Sequence, residues 1–562
     1  MGALYHRECR SAAPSRFVSP WPRPTRLVPT AAAWALLSVA LLNGAASQAQ
    51  EVSGPILPGG TLRLDLRPAF TFWDTRFGER TENGILIEEE EPLGFDFSDA
   101  AAGTRLFPTL QRLQNALDSA IPGGTSPIRF GRTDVLVTRS EVRVPIRLDF
   151  GVTDWLSVGV MVPLTKRRSE VAFGVTADSA NIGLSPIGSA PAQVNDFLNR
   201  LGNAVASLTQ VTNEICQTQG SGSAACLGAQ TLLNSGSLFQ SAITDAYGVR
   251  SGGFPLTGSS LGDALLQRVA ALGQAFTDLG VGGFPTAVPL STLPFTTETF
   301  LELISDARFG VEGDPFGLFQ SPWELGDIEV FGHARLLEGS SAAGRTNPAS
   351  GIHYEVGAGA LVRLGTGTPD MDQNFLDLGS GEGHTDLEVQ GFAGARFGTR
   401  LGAWLDVRYG IQGTTELFRR AEAPDRGFAA LTTRTPVRWT PGNYFQVRLT
   451  PRFQITDAVS LALDFRHYSK ARDTFERLEV ADSLNIQVGG DPALLELETE
   501  QSVREFGVGI VYSTLAARRA GKTEKAAEFS LLFRAARSGS GGLTPKTSMV
   551  QVGFRLFRSF WD

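Results

Sequence analysis

The chain has 562 residues, 42% of them hydrophobic and 19% charged, with a formal net charge of −8. That composition is ordinary for a folded protein and long enough for several cores, so it does not by itself choose a class. The acidic balance does speak on partners: it excludes nucleic acid as an expected one.

Five arginines, Arg7, Arg10, Arg16, Arg23 and Arg26, precede an apolar run from Val28 to Leu42, and small residues then lead to Ser47-Gln48-Ala49, an A-x-A-like cleavage site. Residues 1–49 therefore read as a secretory signal peptide, with the mature barrel-forming chain over 50–562. The apolar run is shorter than the roughly 20 residues that a membrane-spanning helix needs. Removing the signal takes away five Arg and one Glu, leaving 45 basic and 57 acidic groups, a net of −12. Only Cys216 and Cys226 survive processing, in a Gly/Ser-rich stretch. In an exported chain they are expected to form a disulfide. No His/Cys cluster accompanies them, so no metal site is expected.

No later stretch approaches 18 consecutive apolar residues, so any membrane crossing must use strands. Residues 61–73 set Leu62, Leu64, Leu66, Phe70 and Phe72 against Arg63, Asp65, Arg67 and Thr71, the period-two division of a strand with one greasy and one wet face. The scheme recurs in chain order at 141–152, at 155–164 after the Thr153-Asp154 turn, in DIEVFGHARLL, YEVGAGALVRL, DLEVQGFAGARF, WLDVRYGIQ, FQVRLTPRFQI, VSLALDFRHY, EFGVGIVYS and EFSLLFRAA, and in the terminal TSMVQVGFRLFRSFWD. The count is about 12, and even, as a barrel with both ends on one side of the membrane requires. Connections after even-numbered strands are mostly short. Those after odd-numbered ones are long: 74–140, 167–325, 365–384, 413–443 and 471–500. Short periplasmic turns and long extracellular loops produce this asymmetry. The fold class expected is all-β: a transmembrane antiparallel up-and-down β-barrel, with extracellular loops at 74–140 and 167–325. The second is a largely helical insertion, with helical spacing over 193–211 and again from Ser260, three residues before Asp263 in a capping arrangement. A shorter helix is expected at LFPTLQRLQNALDSAI.

The last strand resembles the C-terminal signal of outer-membrane barrel proteins, an alternating segment ending in an aromatic that the insertion machinery recognises. Here Trp561 and Asp562 follow Phe560. LVRLGTGTPDMDQNFLDLGSGEGHTDLEVQGFAGARFGTRLGAWLDVRYG resembles a segment of the phenol meta-pathway degradation family of outer-membrane transporters, and VTDWLSVGVMVPL resembles that family's hairpin. The resemblance touches about a fifth of the chain and implies a barrel in the outer membrane of a Gram-negative-type envelope, without naming a substrate. The related long-chain fatty-acid transporters carry an N-terminal plug with Asn-Pro-Ala. Here Asn347-Pro348-Ala349 lies between strands, and only about a dozen residues precede the first strand, so occlusion is expected from inward side chains or long loops instead.

Catalysis is not expected, since none of His333, His353, His384 and His467 is embedded in a Ser-His or Asp-His motif. No cofactor is expected either. Acidic stretches at Ile87 to Glu91 and at Asp370, Asp372 and Asp377 lack the regular ligand spacing of a calcium site and read as solvated loops. What remains is the lumen. The polar parity carries Arg63, Asp65, Arg67, Arg143, Arg147, Asp149, Glu329, His333, Arg335, Glu355, Arg363, Glu388, Asp406, Arg408, Arg448, Arg452, Asp464, Arg466, Glu505 and Arg555. Most should brace the wall, and any left unpaired would set selectivity. The function expected is an outer-membrane channel for passive uptake of a small solute, hydrophobic solutes included. The alternative is a non-transport barrel whose loop helices bind a partner or stiffen the envelope. The partners expected are outer-membrane lipid, the insertion machinery and a small solute, with the barrel a monomer.

Overall fold

The computed structural model describes residues 54–560 except 83–84, 249–251, 307–308, 315, 342–350, 374, 376, 399 and 480–488; the side chains of 79–88, 341 and 519 are also left aside. The expected signal peptide, Asn347-Pro348-Ala349, Trp561 and Asp562 lie outside the described residues. Among those described, no helix is long and apolar enough to cross a membrane.

Twelve antiparallel strands close into one barrel. β1 runs in two pieces, Thr61–Leu66 and Ala69–Trp73, broken around Pro68, which lacks a donor for the ladder. β2 (Arg132–Thr153), β3 (Leu156–Thr176), β4 (Ile328–Ser341), β5 (Ile352–Leu364), β6 (Asp386–Phe397) and β7 (Leu401–Ile411) follow. β8 (Tyr444–Gln454), β9 (Val459–Lys470), β10 (Gln501–Ser513), β11 (Ala526–Ser540) and β12 (Ser548–Ser559) complete the wall. The seam closes where Leu64 sits opposite Leu556 and Asp65 opposite Arg555. That register keeps apolar beside apolar and charge beside opposite charge, so a one-residue slip would invert both.

The two faces differ as the alternation requires. Phe70, Phe72, Leu148, Val330, Leu405, Leu449, Val508, Leu531 and Val552 stand exposed on the outside, while Arg63, Asp65, Asp149, Glu388 and Asp464 are buried on the inside. Such an inversion, charge inside and oil outside, costs stability in water and gains it in lipid.

β2 and β3 are longer than the sequence reading, 22 and 21 residues, and continue as a paired hairpin beyond the barrel. The extension was read as loop because its inner face is apolar: Val135, Val137 and Val171 are buried there against Leu93, Phe97, Phe173, Phe316 and Phe319. Loops 74–140 and 167–325 therefore begin and end partly within strands.

The helical insertion holds α1 (Gln111–Ala120) from the first long connection, then α2 (Pro191–Gln219), α3 (Ala224–Gly248), α4 (Ser260–Asp278) and α5 (Thr297–Ser305). α3 and α5 were not read from the sequence. The packed face of α3 carries its large side chains, Phe239, Ile243 and Tyr247, only in the C-terminal half, and Ala229, Gly236, Ala242 and Ala246 fill much of the rest, so the apolar stripe is diluted. Gly236 is required there, since a Cβ would stand 2.8 Å from Phe276 Cζ of α4. The cap of α4 is Ser259, one residue before the expected Ser260, accepting from the Gly262 amide at 3.1 Å. Cys216 and Cys226 form a disulfide joining the facing ends of α2 and α3. Phe107 and Phe130 of the first long connection, Phe254, Phe276 and Phe300 of the second and Phe428 of the β7–β8 connection share one buried core, which lies over the long-loop end of the barrel.

Candidate functional site

The lumen wall is laced by ion pairs that cross from strand to strand. Asp65 accepts from Arg67 at 2.5 Å and, over the closing seam, from Arg555 at 3.0 Å. Asp149 holds Arg63 at 3.0 Å and Arg147 at 2.7 Å. Arg363 bridges Glu329 at 3.3 Å and Asp386 at 3.0 Å. Arg408 meets Asp406 at 2.5 Å and Glu388 at 3.3 Å. Asp464 takes Arg448 at 2.5 Å and Arg534 at 3.1 Å, and Glu505 takes Arg466 at 2.9 Å. His333 shares a 2.8 Å hydrogen bond with Gln390, and Arg335 pairs with Glu338 at 2.9 Å, in addition to the Asp154 carbonyl. The buried carboxylates Asp65, Asp149, Asp386, Glu388 and Asp464 need these partners, because an unpaired charge withdrawn from water is costly.

Two of the expected lining residues stand apart. Arg143, on the inward parity of β2, is exposed and has no ion-pair partner among the described residues. Glu355 has none either; it faces Gly54, where a Cβ would come 3.0 Å from its Oε1. Arg452 takes its place in the ladder opposite Gly402 and Ala462.

The base of the lumen differs from expectation. Residues 54–58 are not a folded plug but an extended strap lying in the short-turn end. Arg63 Nη1 donates to the Gly54 carbonyl at 2.9 Å, and the Leu57 amide donates to Ser157 Oγ at 2.8 Å. A Cβ on Gly54 would meet Trp404 Cη2 at 2.8 Å. Arg63 belongs to β1 and Trp404 to β7, on opposite sides of the barrel. Five extended residues reach roughly 17 Å, so the few residues ahead of β1 suffice to cross the lumen though not to fill it. Leu57 is fixed by packing on Leu515, Ala526 and Phe557.

Several wall residues were missed by sequence reasoning. Asp386 opens β6, and Glu528 and Arg534 share the inward parity of β11 with Leu532, whose apolar side chain disguised that face. Gln390 and Tyr444 join through Glu388, which accepts from both. The acidic loop residues are paired with arginines instead of merely solvated: Asp370 with Arg419 at 2.6 Å, Asp372 with Arg434 at 2.6 Å and Asp377 with Arg167 at 3.4 Å.

Glu382, His384 and Asp386 also come together at the long-loop rim, although no metal-ligating cluster was expected; E-G-H-T-D was the available signal. The His384 ring is buried, with Nδ1 2.7 Å from Asp386 Oδ1 and Nε2 3.1 Å from Glu382 Oε2. Burial pushes the imidazole pKa down, but the carboxylates of Asp386 and Glu382 on either side of the ring outweigh it and raise it to about 9.

No family model matches the chain, and no curated protein matches it. Among solved structures, it is similar to an outer membrane channel from Pseudomonas putida F1, over 91% of this chain and 99% of that one, at 9% identity and a TM-score of 0.37. It is similar to the P. putida toluene transporter TodX over 91% and 94%, at 9% identity and 0.25. It is similar to a Pseudomonas aeruginosa FadL homologue over 91% and 95%, at 9% identity and 0.22. At such identities and scores nothing about solute or mechanism is rested on them.

Proposed function

We propose that this chain is a monomeric outer-membrane channel for the passive uptake of a small solute, hydrophobic solutes included, exported by its N-terminal signal and inserted with its long connections outside the cell. The observation that carries the reading is the inverted wall: Phe70, Leu148, Val330 and Val552 exposed outside, and arginine–carboxylate pairs joining β12 to β1, β1 to β2, β5 to β6 and β8 to β9 inside. A soluble barrel has no use for an oily exterior around an ionic interior; a lipid-embedded pore needs both. Pairing leaves the lumen polar but nearly neutral, and Arg143, without an ion-pair partner among the described residues, is free to act on a passing solute.

The strap at the base and the aromatic core at the long-loop end each stand in the route. Passage then requires both to move, so conductance is expected to rise when the strap is removed. A second reading, a non-transport barrel, draws on the same two coverings. Planar-bilayer recordings separate them. The channel reading expects steps from the mature chain, larger after deletion of 50–58. Electrical silence in both the mature chain and that deletion, with each protein inserted and heat-modifiable on gels, favours the second reading.

A further inference from the structure

The rim cluster holds polar atoms that the protein itself leaves unused. Asp386 is fully engaged: Oδ1 accepts from His384 Nδ1 at 2.7 Å and from the Gly413 amide at 3.1 Å, and Oδ2 faces Arg363 at 3.0 Å. It thereby fixes the ring and directs Nε2 towards Glu382. Nε2 is buried and has no hydrogen-bond partner, although Glu382 Oε2 is only 3.1 Å away. Gln412, 9% exposed, donates Nε2 to the same Glu382 oxygen at 3.0 Å, while its own Oε1 is buried without a partner. Buried polar atoms without a partner cost stability unless something absent from the protein satisfies them. The Glu382 side chain is 46% exposed and opens the cluster to solvent, which supplies an entry path.

We propose that His384 Nε2, Glu382 and the Gln412 amide oxygen bind a divalent cation of the zinc class, with Asp386 as the positioning residue for the imidazole. An imidazole, a carboxylate and an amide oxygen form a borderline N/O donor set, suited to zinc or cobalt more than to calcium. A carboxylate on the far ring nitrogen is the usual support for a metal-bound histidine. Arg363 neutralises Asp386, leaving the charge of Glu382 to meet the cation. The ion would join the connection ahead of β6 to the start of the one after β7. Its rival for Nε2 is a proton, which binding must displace.

The test uses the full mature chain in detergent, stripped with chelator and titrated with zinc chloride alone by calorimetry, and with cobalt followed by visible absorption. A single equivalent of zinc is expected at neutral pH, lost in His384→Asn and weakened at least about tenfold in Glu382→Gln; Asp386→Asn should cost roughly 10- to 100-fold in affinity. Cobalt should give a ligand-field band that His384→Asn abolishes. Unchanged heat-modifiable mobility certifies each variant as folded; should His384→Asn or Asp386→Asn fail that check, the exposed Glu382→Gln carries the test. Zinc uptake equal in wild type and folded variants, or an imidazole that keeps its proton by NMR while no zinc binds, overturns the proposal.

Discussion

Asp464 is 1% exposed and has an arginine on either side, Arg448 at 2.5 Å and Arg534 at 3.1 Å. Replacing it with Asn keeps the shape but leaves two guanidiniums facing each other across the wall. Removing one member of a buried ionic group typically costs 3–5 kcal/mol. Arg534 retains Glu505 at 3.3 Å, so about 3 kcal/mol is expected, read as an earlier midpoint in urea unfolding of the detergent-solubilised barrel. Arg143 tests the opposite condition. Arg143→Gln removes a solvent-facing cation with no ion-pair partner among the described residues, so it should leave stability unchanged and move the reversal potential away from anions. Most wall pairs were legible as residues because each charge follows the parity of its strand. Asp386, Arg534 and Glu528 were hidden by a strand end and by Leu532. The Glu382–His384–Gln412 cluster was hidden because its members converge only once β6 and β7 lie side by side.

The strands announced themselves wherever one face met lipid and the other water, since that contrast imposes a period of two. It inverts on the outer half of the β2–β3 hairpin, where loop aromatics cover Val135 and Val137 on the inner face while Asp134, Thr138 and Glu170 stand on the outer one, so the apolar and polar parities are exchanged relative to the barrel. Helical spacing is diluted in α3, where Phe239, Ile243 and Tyr247 are interleaved with buried alanine and glycine. The disulfide was legible from export and spacing together. Cys216–Cys226 encloses a short loop, and in the chain-entropy account its loss costs ~2.5–3 kcal/mol. Cys216→Ser combined with Cys226→Ser should therefore lower the protection of α2 and α3 in hydrogen exchange, while β1 to β12 exchange as before. Loss of protection throughout the wall would mean that the insertion and barrel fold as one unit.

For the whole molecule, the short-turn and long-loop asymmetry gave the barrel's polarity, but nothing in the sequence revealed that residues 54–58 cross its base. The strap is held by Arg63 to the Gly54 carbonyl, by Leu57 to Ser157 and by the packing of Leu57 on Leu515, Ala526 and Phe557, and Trp404 backs it. Trp404→Ala should raise single-channel conductance in the same direction as removing the strap. The account as a whole rests on which face of the wall meets lipid. Nitroxide labels placed one at a time at Phe70, Leu148, Val330, Leu449, Val508 and Val552, and at Arg143 as the inward control, report this in reconstituted bilayers through collisions with oxygen and with a water-soluble nickel chelate. The six outward positions should favour oxygen and the Arg143 position the chelate; chelate access at the six, equal to that at 143, would contradict the account.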